Sequence, residues 1–165
     1  NANSKAAAKI GAIATGGIKS FWDKNPIFYA PQVRFDGTDG ACDYWVTLGN
    51  NDTNTPTTQE HIGFLLRCVA GTPTLYGTNS DGSTQTLTNL GGAGILEGNE
   101  ELVAVVTSGT NVKFYVNGTL LGTSTTNLPA GDSTFQFFSM GVENKGGDTT
   151  DRWLKIAPPS FSKEI

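Results

Sequence analysis

The sequence predicts an all-β antiparallel sandwich, and three observations carry that prediction. Short apolar runs alternate with polar residues at a period of two, which indicates strands that bury one face. Turn clusters rich in Gly, Asn, Asp and Thr separate these runs at roughly even spacing. No internal segment carries a convincing helical period. We expect about ten strands, over residues 32–36, 42–48, 61–69, 73–77, 83–88, 101–107, 111–117, 119–125, 134–142 and 152–156.

Two of these runs define the buried face most clearly. In 111–117, Val112, Phe114 and Val116 face one way and the polar residues face the other. In 61–69 the same alternation assigns Ile62, Phe64, Leu66 and Cys68 to the core. The pair Asn117-Gly118 predicts a type I′ hairpin turn, because both central residues of that turn need a positive φ.

The N-terminal segment, residues 1–20, differs from the rest because it is rich in Ala and Gly and lacks aromatic residues. We expect it to be an arm or linker before one sandwich domain at 21–165. Ser4 can cap a short helix that Gly16-Gly17 ends, and an extended arm is the alternative. The first residue is Asn rather than Met, so we expect a processed chain or a fragment.

Charge and hydropathy argue against two classes of partner. The net charge is −4, and the 11 Lys and Arg residues are scattered rather than clustered. A nucleic-acid backbone requires a positive surface, so we expect no nucleic-acid partner. No window approaches the roughly 18 consecutive apolar residues of a membrane span, so we expect no membrane insertion.

The two cysteines, Cys42 and Cys68, each lie in an apolar strand-like run. A disulfide between them stays open, but we expect reduced core residues, since free Cys behaves as a small buried hydrophobe. Two cysteines and one histidine, His61, cannot supply a zinc site of ordinary spacing.

The run ELVAVVTSGTNVKFYVNGTLLGTSTTNLP resembles the signature hairpin of concanavalin A-like, laminin-G-like jelly-roll domains. Its parts are a strand of small apolar residues at 102–106, a turn at 108–110 and the motif at 112–118. PQVRFDG and DRWLKIAPPSF resemble the paired first and last strands of such domains, and GFLLRCVAGTPTLYGTNSDGSTQT resembles their middle meander. The form ending in TTNLP is similar to laminin-G-like domains of bacteriophage virion proteins, such as tail appendages and head decorations.

This resemblance implies a concanavalin A-like jelly roll of two packed sheets. Members of the family range over lectins, glycan-binding modules, adhesion domains and glycanases, so the fold does not decide the function.

Catalytic residues are not evident. Glycanases of this fold place paired carboxylates in a Glu-x-Asp-x-x-Glu pattern, which this chain lacks. Glu97, Glu100 and Glu101 form the one acidic cluster, and we interpret them as a solvated loop before a strand, with Glu100 and Glu101 pointing oppositely. His61 has no G-x-S-x-G partner. We therefore expect no enzyme and no catalytic residue.

The resemblance also suggests a possible cofactor, since many relatives hold Ca²⁺ through oxygen ligands near the ligand edge. The oxygen-rich loops at 49–54 and 144–151 offer Asp52, Asn54, Asp148 and Asp151 as candidate donors. Turn chemistry explains the same residues without an ion.

Sugar binding is one candidate function, because sugars stack on aromatic rings and receive hydrogen bonds from polar side chains, although core packing is the alternative for each aromatic residue. The candidate ligand-binding residues are Tyr44, Trp45, His61, Arg67, Tyr115 and Trp153. Tyr44 and Trp45 point to opposite faces of one strand, so at least one of them belongs to the core.

We predict a non-catalytic surface-binding or structural module: an adhesion or decoration domain of a phage virion that binds glycans. The alternatives are a carbohydrate-binding module of a secreted glycan-active protein and, third, a glycoside hydrolase of this fold. The expected partners are a cell-surface or polysaccharide glycan, or neighbouring virion subunits, in a virion or extracellular setting. Exposed strand edges also predict a homo-oligomer.

Overall fold

Two antiparallel sheets form the fold of this protein, described from a computed structural model that covers residues 5–10, 22–49, 55–96, 98–130 and 137–162. The strands are β1 Lys5–Ile10, β2 Ile27–Asp36, β3 Cys42–Gly49, β4 His61–Val69, β5 Thr72–Ser80, β6 Gln85–Gly92, β7 Glu100–Thr107, β8 Asn111–Val116, β9 Thr119–Ser124, β10 Phe137–Asn144, β11 Trp153–Ile156 and β12 Ser160–Ser162. Short 3₁₀ turns lie at Trp22–Lys24 and Ala93–Ile95. No helix in these ranges is long and apolar enough to cross a membrane.

The strands divide into two six-stranded sheets. The first sheet has the order β1-β10-β3-β4-β5-β6. The second sheet has the order β11-β2-β7-β8-β9, and its sixth strand, β12, pairs with β2. Strands distant in sequence, such as β3 and β10, are neighbours. This arrangement confirms the predicted antiparallel jelly-roll sandwich.

The hairpin between β8 and β9 has the predicted turn. Asn117 has φ 49° and Gly118 has φ 76°, as a type I′ turn requires. Val112, Phe114 and Val116 are all buried in the core between the sheets. The Asn-Gly pair therefore predicted the turn, and the alternation predicted the buried face of this strand.

Aromatic rings join the two sheets at the centre of the core. Phe64 of β4 meets Phe114 of β8 edge-on, with ring centroids 5.7 Å apart and an interplanar angle of 79°. Phe28 of β2 packs on Phe64 at 6.3 Å. Gly77 leaves room for this contact, since a Cβ there would lie 2.4 Å from the Phe114 ring. Each such aromatic pair adds about 1 kcal/mol beyond its burial.

The described part of the N-terminal segment is extended rather than helical. Lys5–Ile10 forms the edge strand β1, which pairs with β10 from Lys5 opposite Glu143 to Ile10 opposite Phe138. The helix prediction is wrong here because an open sheet edge supplies partners for the backbone, and tertiary pairing overrides the helix propensity of alanine. Residues 1–4 and 11–20 of the predicted arm lie outside the described residues.

The two cysteines are free thiols that face each other across β3 and β4. Cys42 is fully buried and Cys68 nearly so. A hydrogen bond with Cys42, together with burial, raises the pKa of the Cys68 thiol. These surroundings match the predicted reduced core residues.

Alkylation is expected to separate the folded from the unfolded state. Iodoacetamide without a reductant should modify neither Cys42 nor Cys68 in the native protein, because both are shielded, and the thiolate is the reacting form. Both should react after denaturation, adding two carbamidomethyl groups by intact mass. An unfolded sample that takes up no label would show a disulfide instead.

Candidate functional site

Strand alternation gives the first sheet a second, polar face that points away from the core. On β3 and β4, Tyr44 and Leu66 face the core, so Asp43 and Arg67 face outward. We call the partly exposed end of this surface the outer polar face. It consists of Asp43, Arg67, Tyr76, Glu143 and Lys145.

An ion pair forms the centre of the outer polar face. Arg67 and Asp43 are direct cross-strand partners, and Arg67 donates two hydrogen bonds to the Asp43 carboxylate, at 2.9 and 3.2 Å. The Asp43 side chain is 5% exposed and that of Arg67 is 39% exposed. The hydrogen bond from Arg67 to Asp43 raises the pKa of the guanidinium above its ordinary value. Such planar two-point pairing fixes both side chains.

A second carboxylate lies beside this pair. Glu143 of β10 is the cross-strand partner of Asp43. Lys145 Nζ is 2.7 Å from Glu143 Oε2 and 3.9 Å from Asp43 Oδ2, and the Thr55 hydroxyl donates to Glu143 at 2.7 Å. Both carboxylates thus have cationic partners, and the charges of the four ionic groups of the outer polar face sum to zero.

An aromatic ring borders the ion pair. Tyr76 of β5 lies between Leu65 of β4 and Asn89 of β6 in the register, on the same side of the sheet as Arg67. It is partly exposed and lies diagonal to Arg67, whose direct partner on β5 is Thr74. A ring next to a fixed carboxylate–guanidinium pair provides both an apolar surface and directed hydrogen-bonding groups.

The other end of this sheet face is buried. Trp45 and Leu65 are both fully buried although they point away from the core, and Trp45 Nε1 donates to Ser139 Oγ at 3.2 Å. The strand prediction does not anticipate this burial, because alternation alone assigns these residues to the exposed face.

His61 belongs to the buried end and is neutral. The Gln59 carbonyl oxygen can only accept, so His61 Nδ1 carries the proton and donates to it. His61 Nε2 then accepts from the Thr78 hydroxyl at 2.9 Å, and Thr78 Oγ1 accepts from Gln85 Nε2 at 3.0 Å. Burial lowers the pKa of His61 from 6.5 to about 4. Every polar atom of the ring is satisfied.

The predicted ligand-binding residues do not form one group. Tyr44 is a core residue: it is fully buried, and its hydroxyl donates to the carbonyl oxygens of Asp36 and Gly37. This corrects its assignment as a ligand platform. Trp45 and His61 are buried as described above, and Arg67 lies in the outer polar face.

The two remaining aromatic candidates lie on the second sheet. Tyr115 of β8 is the cross-strand partner of Val103 and faces outward, between the buried residues Phe114 and Val116. Trp153 of β11 is 44% exposed, and Lys155 Nζ lies 4.2 Å from its ring centroid. Neither lies on the sheet that carries Arg67.

The candidate calcium ligands gain no support from the described residues. Asp148 Oδ2 is 2.6 Å from Arg152, and its two oxygens also accept from the backbone N–H groups of Ala41 and Thr150. Those backbone hydrogen bonds and the Arg152 contact lower the pKa of Asp148. Asp151 is exposed, whereas Asp52 and Asn54 lie outside the described residues. Within the described ranges no three His, Cys, Asp or Glu side chains form a metal-binding group.

The acidic cluster differs from the expected solvated loop. Glu100 is 1% exposed within β7, while Glu101 points the other way and accepts a hydrogen bond from the Tyr29 hydroxyl at 3.1 Å. The opposite orientation was predicted, but the burial of Glu100 was not. Glu97 lies outside the described residues.

Sequence reasoning found Arg67 but missed Asp43, Tyr76, Glu143 and Lys145. Asp43 and Tyr76 could have been found from the sequence, because alternation places each of these polar or amphipathic side chains on the outward face of its strand. Glu143 and Lys145 carry none, since their place beside Asp43 depends on the pairing of β3 with β10.

Comparison with known proteins agrees with this fold. The family model of the concanavalin A-like lectin/glucanases superfamily matches residues 24–154, and the chain belongs to that superfamily. No curated protein matches the chain by sequence.

Solved structures with the same fold include both enzymes and lectins. An alginate lyase from Pseudomonas aeruginosa aligns with a TM-score of 0.59 and 11% identity, over 87% of this chain and 67% of the lyase. A Bacillus licheniformis β-glucanase aligns with a TM-score of 0.58 and 10% identity, over 99% and 79% of the two chains. The carbohydrate recognition domain of Emp47p aligns with a TM-score of 0.56 and 16% identity, over 99% and 80%. At sequence identities this low, the structural similarity shows a shared fold alone.

Proposed function

We propose that this protein is a non-catalytic carbohydrate-binding domain and that its outer polar face holds the sugar. The observation that carries the proposal is the Asp43–Arg67 pair, fixed by two hydrogen bonds beside the partly exposed Tyr76. Membership of a superfamily of lectins and glucanases supports it.

The chemistry of the outer polar face suits a neutral polyhydroxyl ligand. The Tyr76 ring offers an apolar surface on which a sugar face can stack. The Glu143 carboxylate, 19% exposed, accepts, and the Arg67 guanidinium, 39% exposed, donates, so adjacent sugar hydroxyls find both partners. Two carboxylates are balanced by two cations here, so the surface has no excess charge to select an anionic polymer.

The same charges argue against hydrolysis. A glycosidase needs one carboxyl group that delivers a proton to the glycosidic oxygen and a second that acts as base or nucleophile. Asp43 and Glu143 both accept hydrogen bonds from cations or a hydroxyl, which suits two acceptors rather than a proton donor and a nucleophile. The outer polar face is thus built to bind rather than to cleave.

Glycan-array binding tests the site. Tyr76→Ala should weaken binding by about five- to thirtyfold, because a central aromatic contact contributes about 1–2 kcal/mol. Tyr115→Ala is the matched control, since it removes the same ring from the outward face of the other sheet. Loss of binding in Tyr115→Ala but not in Tyr76→Ala would place the site on the second sheet and contradict the assignment.

Incubation with the bound glycan tests the absence of catalysis. Neither reducing ends nor unsaturated products should accumulate over a day. Product formation that is abolished by Glu143→Gln would show that the outer polar face is an active site.

The proposal extends to the setting of the domain. The likeness of the hairpin to bacteriophage virion domains supports an adhesion or decoration role on a virion or another extracellular surface, with a cell-surface glycan or neighbouring subunits as partners. The unpaired side of the edge strand β6 supports self-association. Light scattering of the purified chain should give a homo-oligomeric mass, and a monomer at high concentration would contradict that part.

A further inference from the structure

A pocket of about 230 Å³ lies where β2 ends and β7 begins, away from the outer polar face. Its apolar walls come from Phe35, Pro73, Ala93 and Leu96, and its polar side chains are those of Thr38 and Glu100. Drug-sized sites have volumes of roughly 300–1,000 Å³, so this pocket suits a compact ligand.

Glu100 is the unusual residue of the pocket wall. The residue is 1% exposed, and its Oε1 accepts the Gly98 N–H at 2.8 Å. Its Oε2 is buried and has no hydrogen-bond partner. Among the described residues, no Lys, Arg or His lines the pocket. Burying a carboxylate oxygen without a hydrogen-bond partner costs folding free energy. A ligand that donates a hydrogen bond to Glu100 Oε2 would remove that cost.

We propose that this pocket binds a small organic ammonium ion, whose charged head pairs with Glu100 Oε2 and whose short apolar body lies against Phe35 and Leu96. A cation matches the single buried anion through a charge-assisted hydrogen bond. A sugar ring suits the pocket less well, because most of its hydroxyls would face apolar walls that offer no partners. The pocket is therefore distinct in chemistry from the outer polar face.

Titration of the full chain with n-butylammonium chloride, followed by amide NMR, tests the proposal. Saturable shifts are expected at the Gly98 and Thr38 amides, with a dissociation constant in the millimolar range, since so small a ligand makes few contacts. n-Butanol, the neutral match, should bind at least tenfold more weakly. Equal binding of the two, or no saturable shift with butylammonium, would overturn the proposal.

Matched variants assign the effect to one carboxylate. Glu100→Gln keeps an oxygen for the Gly98 N–H and should weaken butylammonium binding at least tenfold, whereas Glu101→Gln, on the opposite face of β7, should leave it unchanged. Ala93→Phe fills the pocket from an exposed residue and provides a second test should Glu100→Gln fail to fold. Unchanged binding in Ala93→Phe would contradict the site.

Two natural sources carry the same group, a lysine side chain and an amino sugar. Nα-acetyl-lysine methylamide and glucosamine, each in competition with butylammonium, distinguish them. The competitor that displaces butylammonium identifies the source, and failure of both would contradict a natural ligand of this class.

Discussion

Gly63→Ala is expected to destabilise the domain by about 4 kcal/mol, the sum of a strained backbone and an overpacked site. Gly63 has φ +152°, a conformation that residues with a Cβ rarely adopt. An added Cβ would lie 2.3 Å from the Val46 carbonyl oxygen and 2.7 Å from the Thr47 Cα. These are backbone atoms in the middle of the β3–β4 pairing, so they cannot move aside without breaking the sheet.

Urea unfolding followed by tryptophan fluorescence measures this effect. Gly94→Ala is the matched control, because nothing lies within 4 Å of a Cβ at Gly94 and its φ is ordinary. The control should change the free energy of unfolding by no more than about 0.5 kcal/mol. Equal stabilities for the two variants would contradict the strain at Gly63.

Acidification from pH 7 to pH 4.5 should remove about 2 to 3 kcal/mol of stability through His61 alone. The folded-state pKa is lowered from 6.5 to about 4, so the unfolded chain takes up the proton first as the pH falls. The stabilisation is complete above pH 6.5 and is lost progressively down to about pH 4. His61 is the one histidine of the chain, so a loss of stability between pH 6.5 and pH 4.5 can be assigned to it.

His61→Gln tests this assignment. The variant should lose the pH dependence between 4.5 and 6.5, whatever its stability at pH 7. Asp39, Asp81 and Asp148 have lowered pKa values. The stability that they contribute is lost only below about pH 4, so this loss does not overlap the pH range in which His61 acts. An unchanged slope in the variant would contradict the role of His61.

Local patterns predicted the fold well where neighbouring residues decide the structure. Val112, Phe114 and Val116 occupy the core as their alternation indicates, and Asn117-Gly118 forms the expected turn. The Ala-rich strand β1 was missed because its conformation depends on β10, which lies more than a hundred residues away in the chain. Local propensity cannot report such a partner.

The candidate site was predictable only in part. Arg67 stands out as a charged residue within an apolar strand. Its role in the candidate site depends on the ion pair with Asp43, which the β3–β4 register places opposite it. Trp45 was expected to be either core or ligand platform, yet it is buried on the far face of the sheet. Glu100 was interpreted as solvated because three glutamates near glycine are typical of an exposed loop.

The sequence by itself determined most of the strands, the β8–β9 hairpin and the apolar face of its alternating strands, because these depend on side-chain alternation and on the φ values that Asn and Gly tolerate. The tertiary structure alone decided which charges meet. It brought Asp43 to Arg67 and Glu143, placed Tyr76 beside them, and left Glu100 Oε2 without a partner. Cross-strand register and sheet packing join residues far apart in the chain, and no local pattern encodes those distances.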